Sequence, residues 1–191
     1  MLTIIMGKTC SGKDSVVAEL VKKKRFKPII PYTSRPIRRG EADGVQYHFV
    51  SKDEFDSRIK AGFFIDWKSY EVNGKTWYYG FPLEEIVDAS MDDKYHILIA
   101  TPKGVVDILG ILEKHFFNYD VKVIYLYSNH ATILKRLKSR KDKNDSIQRR
   151  MTADDEDFKD AVKIADKIVY NNDGESISDV VRKIIELVKD N

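Results

Sequence analysis

Residues 2 to 6, apolar except for Thr3, form a short run that stops at Gly7, after which Val16, Val17, Leu20 and Val21 recur at helical spacing. A strand covered by helices on both faces reads as a continuous apolar run. Apolar residues three and four apart mark one buried helix face. The chain therefore opens as strand, glycine loop, helix. The runs at 94–101 (KYHILIAT) and 121–127 (VKVIYLY) repeat the strand pattern and are each followed by a helical stretch. Residues 167–170 form a fourth candidate before the last helix. This alternation predicts an α/β fold, a three-layer core around a parallel sheet.

Between 32 and 82 the pattern changes to aromatic residues alternating with polar ones, with Asn73-Gly74 as a two-residue hairpin signal. The segment reads as a small β-rich insertion into a core made of 1–31 and 83–191. Trp67, Tyr70, Trp77 and Tyr78 are expected to form the insertion's own small core rather than a base-stacking platform. Residues 138–150 (KSRKDKNDSIQRR) carry much charge and little apolar anchorage, and read as a lid entering a helix near Asp145.

With 191 residues, 42% of them apolar, the chain can build one substantial core, so one compact unit with insertions is expected. A formal net charge of +3 demands neither a nucleic acid nor a membrane surface as partner. No run approaches the length of a membrane span. The single cysteine, Cys10, excludes an internal disulfide, and one Cys with four scattered His excludes a tetrahedral metal set. These features fit a cytoplasmic protein, and they leave monomer and homodimer equally open. His48, His96, His115 and His130 have no evident catalytic partners, and Lys22 to Arg25 read as a solvated helix end.

Gly7-Lys8-Thr9-Cys10-Ser11-Gly12-Lys13 matches G-x-x-x-x-G-K. In that pattern glycines let backbone N–H groups wrap phosphate oxygens, the lysine reaches the outer phosphates, and the following helix presents its positive end. An ordinary glycine turn is the plainer alternative, and the position between strand and helix argues against it. Asp14 stands where Ser or Thr usually binds Mg²⁺. Ser15 can still donate to a phosphate, and Asp14 can hold magnesium through its water shell. Asp14 can equally stabilise the helix start with no metal.

The stretch from Thr33 to Phe49 concentrates Arg35, Arg38, Arg39, Gly40, Glu41, Gly44, Tyr47 and Phe49. Forked guanidinium groups suit phosphate oxygens, and a tyrosine hydroxyl can complete the cradle. By composition alone a solvated basic turn is the plainer reading.

Together with the loop at Gly7, this segment resembles the guanylate kinase family of nucleoside monophosphate kinases. The likeness rests on Arg35, Arg38, Gly40-Glu41, Gly44 and Tyr47-His48-Phe49, on the run from Val50 to Phe55, on Gly62 to Trp67, and on Trp77-Tyr78-Tyr79-Gly80. It continues through Arg136-Leu137, Arg140, Ser146-Ile147 and Arg150 to Asn171. The resemblance implies ATP and Mg²⁺ as cofactors and small nucleotides as substrates. It places Lys13 with Gly7, Lys8, Thr9, Cys10, Ser11, Gly12, Asp14 and Ser15 at ATP, with Arg136 and Asn171 beside it and Asp14 and Ser15 at the metal. Arg35, Arg38, Glu41, Tyr47, Asp66, Tyr79 and Thr101 fall to the acceptor, and Lys13, Arg38, Arg140 and Arg150 to the transferred group.

Departures from the family pattern cluster where it recognises guanine. Pro31 replaces a serine, Asp66 a glutamate, Phe81 a serine, and Ile99 and Thr101 two aspartates. GMP or dGMP is the leading acceptor, with other nucleotides or a phosphosugar as alternatives. From other classes, a catalytically silent phosphopeptide-binding module would have no need of Gly7, Gly12 and Lys13, and a nucleic-acid enzyme would need a basic face that is absent here.

Overall fold

The computed structural model describes residues 1–23, 25–38, 40–72, 74–116, 118–139 and 147–189. Strand β1 (Leu2–Met6) leads through the glycine loop into α1 (Lys13–Lys22) and a short strand β2 (Phe26–Pro28). Next come β3 (Tyr32–Thr33), β4 (His48–Phe49), α2 (Lys52–Lys60), β5 (Phe64–Val72) and β6 (Lys75–Pro82). The chain continues with α3 (Leu83–Met91), β7 (Tyr95–Ile99), α4 (Pro102–His115), β8 (Val121–Tyr127), α5 (His130–Ser139) and α6 (Ile147–Asp157). It ends with α7 (Ala161–Ile164), β9 (Lys167–Tyr170) and α8 (Ile177–Lys189).

Five parallel strands form the main sheet in the order β2-β7-β1-β8-β9. Alternation along β1 divides its side chains between two cores. Leu2, Ile4 and Met6 pack with Ile86 of α3 and Val105, Ile108 and Leu112 of α4. Ile5 packs on the opposite side with Val16 and Leu20 of α1 and Val180, Val181, Ile184 and Val188 of α8. This is the expected three-layer arrangement. At three residues, one of them lysine, β2 carries too little apolar pattern to stand out in the sequence, and it lies at the sheet edge, where a proline is tolerated. Among the described residues no helix is long and apolar enough to cross a membrane.

The second sheet runs β4-β3-β6-β5 and lies within 32–82. Its hairpin pairs Val72 with Lys75, so the turn falls at the Asn73-Gly74 signal; Asn73 itself lies outside the described residues, and Gly74 has φ 72°. Helix α2 is absent from the sequence expectation. It begins at Ser51, whose hydroxyl accepts the Glu54 N–H at 3.1 Å, and it buries only Phe55. The expected aromatic core is corrected here. Phe55 stacks on Phe64 at 4.4 Å and lies 5.5 Å from Tyr78, whereas Trp67 and Tyr70 are 44% and 46% exposed. Gly80 makes the packing possible, since a Cβ there would stand 2.7 Å from the Phe64 ring.

Sheet direction sets the site. Loops leaving the carboxyl ends of β1, β7, β8 and β9 carry residues 7–12, Thr101, Ser128 and Asn171, and in open parallel sheets ligands bind at that edge.

Candidate active site

The glycine loop is shaped by two positions that tolerate nothing larger. A Cβ on Gly7 would stand 2.6 Å from both Leu126 O and Ser11 Oγ. Gly12, at φ 95°, ends the loop in the left-handed region and caps α1. Cys10 also has positive φ, 61°, a costly conformation for a residue with a side chain. Arg136 helps to hold it there by donating to Cys10 O at 3.1 Å and to Ser128 Oγ at 3.2 Å. The Asn171 amide donates to Ser11 O at 2.7 Å, and Ser128 Oγ donates to Asn171 O at 2.6 Å. A trans peptide points its N–H opposite to its carbonyl, so tying Ser11 O to Asn171 turns the Gly12 N–H the other way. Lys13 lies along the loop and donates to Gly7 O at 2.7 Å and Lys8 O at 2.9 Å. Asp14 and Ser15 are exposed in the first turn of α1.

Two carboxylates from α6 dock on this loop. Asp154 accepts from the Thr9 backbone N–H at 2.7 Å and from Thr9 Oγ1 at 3.2 Å, and Asp155 pairs with Lys8. Asp154 thus puts negative charge against the glycine loop. Asp154→Asn is expected to tighten ATP binding by about 1 kcal/mol, roughly fivefold, as measured by calorimetry. Weaker binding would show that Asp154 supports the loop instead of competing with its ligand.

The insertion builds a second cluster, around a buried arginine. Arg35, 3% exposed at its side chain, donates to Glu41 through two nitrogens at 2.8 and 2.9 Å, and to Pro36 O at 2.8 Å. Its guanidinium carbon lies 5.2 Å from the Tyr47 ring centre and 5.4 Å from that of Phe49. The Tyr47 and Tyr79 rings meet edge to face at 5.8 Å. Burial opposes the charge on Arg35, but Glu41 and Tyr79 more than offset it and hold the guanidinium more firmly protonated than usual. The Arg35 hydrogen bonds hold the Glu41 carboxyl below its ordinary range, against burial and with help from the Arg38 backbone N–H at 2.7 Å. Glu41 therefore positions Arg35. Arg38 has an exposed side chain beside this cluster. Burial raises the Tyr47 hydroxyl, and Tyr79 and Asp14 push it further up against the pull of Arg35.

Deeper along the insertion, Asp66 approaches the start of α4. Thr101 caps that helix by accepting the Gly104 N–H at 3.2 Å, with Pro102 at its first position. Burial pushes the Asp66 carboxyl up, while Lys68 pulls it down and Asp107 pushes it up.

The expected residues thus gather in two places, one around the glycine loop and one around Arg35, with Asp66 and Thr101 at the far end of the second. Arg136 and Asn171 serve as outer supports of the loop, and Asn171 is 1% exposed. Arg140 lies outside the described residues, and Arg150 is placed as a member of α6. Ser128, Asp154, Asp155 and Lys68 were not expected. Ser128 had one usable signal, a small polar residue directly following an apolar strand; the others look like ordinary surface charge.

The family model for guanylate kinase matches residues 1–188. Guanylate kinase of Bdellovibrio bacteriovorus is 27% identical over 191 residues, covering 97% of this chain and 96% of the relative. That of Neisseria gonorrhoeae is 30% identical over 173 residues, covering 89% and 79%. The crystal structure of guanylate kinase from Anaplasma phagocytophilum aligns with 99% of this chain and 84% of its own at a TM-score of 0.70 and 18% identity, which shows a shared fold. The match along nearly the whole sequence, on a fold of the same kind, makes this chain a member of the guanylate kinase family.

Proposed function

We propose that the protein transfers the γ-phosphoryl group of ATP to a nucleoside monophosphate, with GMP or dGMP leading, to give the diphosphate and ADP. The observation that carries this reading is that one chain joins a glycine loop, along which Lys13 lies, to an insertion that stacks a buried arginine on Tyr47 beside Tyr79. The loop and Lys13 hold the ATP phosphates. Arg35, Arg38, Tyr47 and Tyr79, on the insertion 32–82, hold the acceptor's phosphate. An acceptor phosphate oxygen attacks the γ-phosphorus, the bond from that phosphorus to the bridging oxygen breaks, and ADP leaves with the electron pair. Positioning and charge neutralisation suffice, with no enzyme nucleophile. Arg140 and Arg150, on the lid 138–150, add positive charge over the transferred group, and closure excludes water.

Among the described residues no three His, Cys, Asp or Glu side chains gather to hold a metal. Asp14 and Ser15 offer oxygen donors at the loop mouth, which suits Mg²⁺, a cation that keeps several waters and takes phosphate oxygens as ligands. Bound there, magnesium would neutralise charge on the ATP phosphates. A cytoplasmic setting accords with the lone cysteine.

A panel of nucleoside monophosphates assayed with ATP and Mg²⁺ tests the reading. Turnover of GMP or dGMP above the others is the expected result. GMP inert while another acceptor reacts overturns the guanine assignment, and failure to bind any nucleoside triphosphate in calorimetry overturns the kinase reading.

A further inference from the structure

Side chains alternate along a strand, so Asp66, Lys68 and Tyr70 of β5 share one face. Their partners across the hairpin are Phe81, Tyr79 and Trp77. Lys68 therefore lies directly opposite Tyr79, whose ring closes the cradle against Tyr47. Asp66 lies one strand repeat, about 7 Å, farther from that cradle. On this reading of the acceptor site, a nucleotide whose phosphate sits at Tyr79 lays its base over Lys68 and Asp66.

The Lys68 ammonium points to the same end. It donates to Thr101 Oγ1 at 3.3 Å and stands 3.6 Å from Asp66 and 4.0 Å from Asp107. These are loose contacts, whereas Asp107 takes a close bond from Lys103 at 2.7 Å. Asp66, 13% exposed, thus faces a cation that stops beyond hydrogen-bond distance, and both groups retain capacity for a third participant. An ammonium only donates and a carboxylate only accepts. Side by side they match a ligand edge that presents an acceptor next to a donor.

We infer that Lys68 is a specificity-determining residue that, with Asp66, selects acceptor bases carrying a carbonyl beside a ring N–H. Guanine, thymine and uracil present that lactam edge. Adenine and cytosine present an amino donor beside a ring-nitrogen acceptor. With the phosphate anchored at Tyr79 the base cannot be turned end for end, so an amino base sets donor against donor at Lys68 and leaves buried groups unpaired, the situation that discriminates most strongly. The inference rests on the nucleoside monophosphate kinase reading above and adds the residue that reads the base.

The test is the steady-state kinetics of the wild type, Lys68→Met and Lys68→Arg with GMP, dTMP, UMP, AMP and CMP at saturating ATP, alongside ATP binding by calorimetry. In the wild type, the preferred acceptor is one of the three lactam bases. Lys68→Met raises its KM about tenfold, with kcat within about threefold and ATP affinity unchanged, and shrinks its preference over AMP and CMP. Lys68→Arg, which keeps a donor, retains most of the preference. An unchanged preference in Lys68→Met, or a wild type that favours AMP or CMP, overturns the inference while leaving the kinase reading intact. A wild type that binds ATP and phosphorylates no monophosphate removes both.

Discussion

Replacing Lys13 with alanine is expected to lower kcat/KM about a thousandfold, which is the loss typical of removing one preorganised charge from a phosphoryl-transfer site. The side chain leaves the first residue of α1 and runs back along the loop to Gly7 O and Lys8 O, so its ammonium lies against the loop that the proposed reading assigns to the phosphates of ATP. The variant also loses a charged donor to two carbonyls. Such bonds contribute about 2 kcal/mol, so melting should fall by roughly 5 °C without unfolding the chain at room temperature. Lys8 makes a useful control. It lies in the same loop but turns outward to Asp155, so Lys8→Ala should keep activity within a few-fold of wild type. A Lys13→Ala enzyme retaining a tenth of wild-type kcat/KM would place the γ-phosphoryl group somewhere other than this loop.

The contrast between these two lysines shows what the sequence reveals and what it hides. The loop was legible because backbone geometry fixes its residue types: Gly7 has no room for a Cβ, Gly12 needs positive φ, and the flanking apolar runs mark strand and helix. Strands β8 and β9 were legible for the same reason, being bounded by the ends of their apolar runs. Helix α2 was not, because with Phe55 as its one buried residue it has no apolar stripe, and only Ser51 and Glu54 marked its start. Trp67 misled because an aromatic residue reads as core until its strand is placed: it shares a face with Gly80 and Tyr78, but β5 is the edge strand of its sheet, and the ring stays 44% exposed. The hidden site residues share one property. Asp154 meets Thr9 across 145 residues of sequence, and Lys68 meets Thr101 across 33, so no local pattern announces either pair.

Arg35→Met is expected to act twice, lowering thermal stability by about 10 °C and sharply raising the KM for the acceptor. The guanidinium is almost fully enclosed, and Glu41, 18% exposed at its side chain, depends on it for two hydrogen bonds. Removing one partner of a buried pair costs about 3–5 kcal/mol because the other charge is left unpaired. For a chain of this size each kcal/mol shifts melting by about 2–4 °C. Replacing both charges with apolar groups is often neutral, so the double variant Arg35→Met with Glu41→Leu should recover much of the melting temperature. It should not recover acceptor binding, because the arginine fork that faces Tyr47 and Tyr79 is still missing. The pH dependence provides a third check. Since the Arg35 hydrogen bonds depress the Glu41 carboxyl, the pair's stabilisation is present above the ordinary carboxylate value and fades as pH falls through the depressed one. Arg35, shifted the other way, stays charged throughout. The wild type's advantage over the Arg35→Met variant should therefore hold at neutral pH and narrow below about pH 4. If the double variant regains both stability and acceptor KM, Arg35 is only a strut, and the acceptor's phosphate is held by Arg38 and the two tyrosines alone.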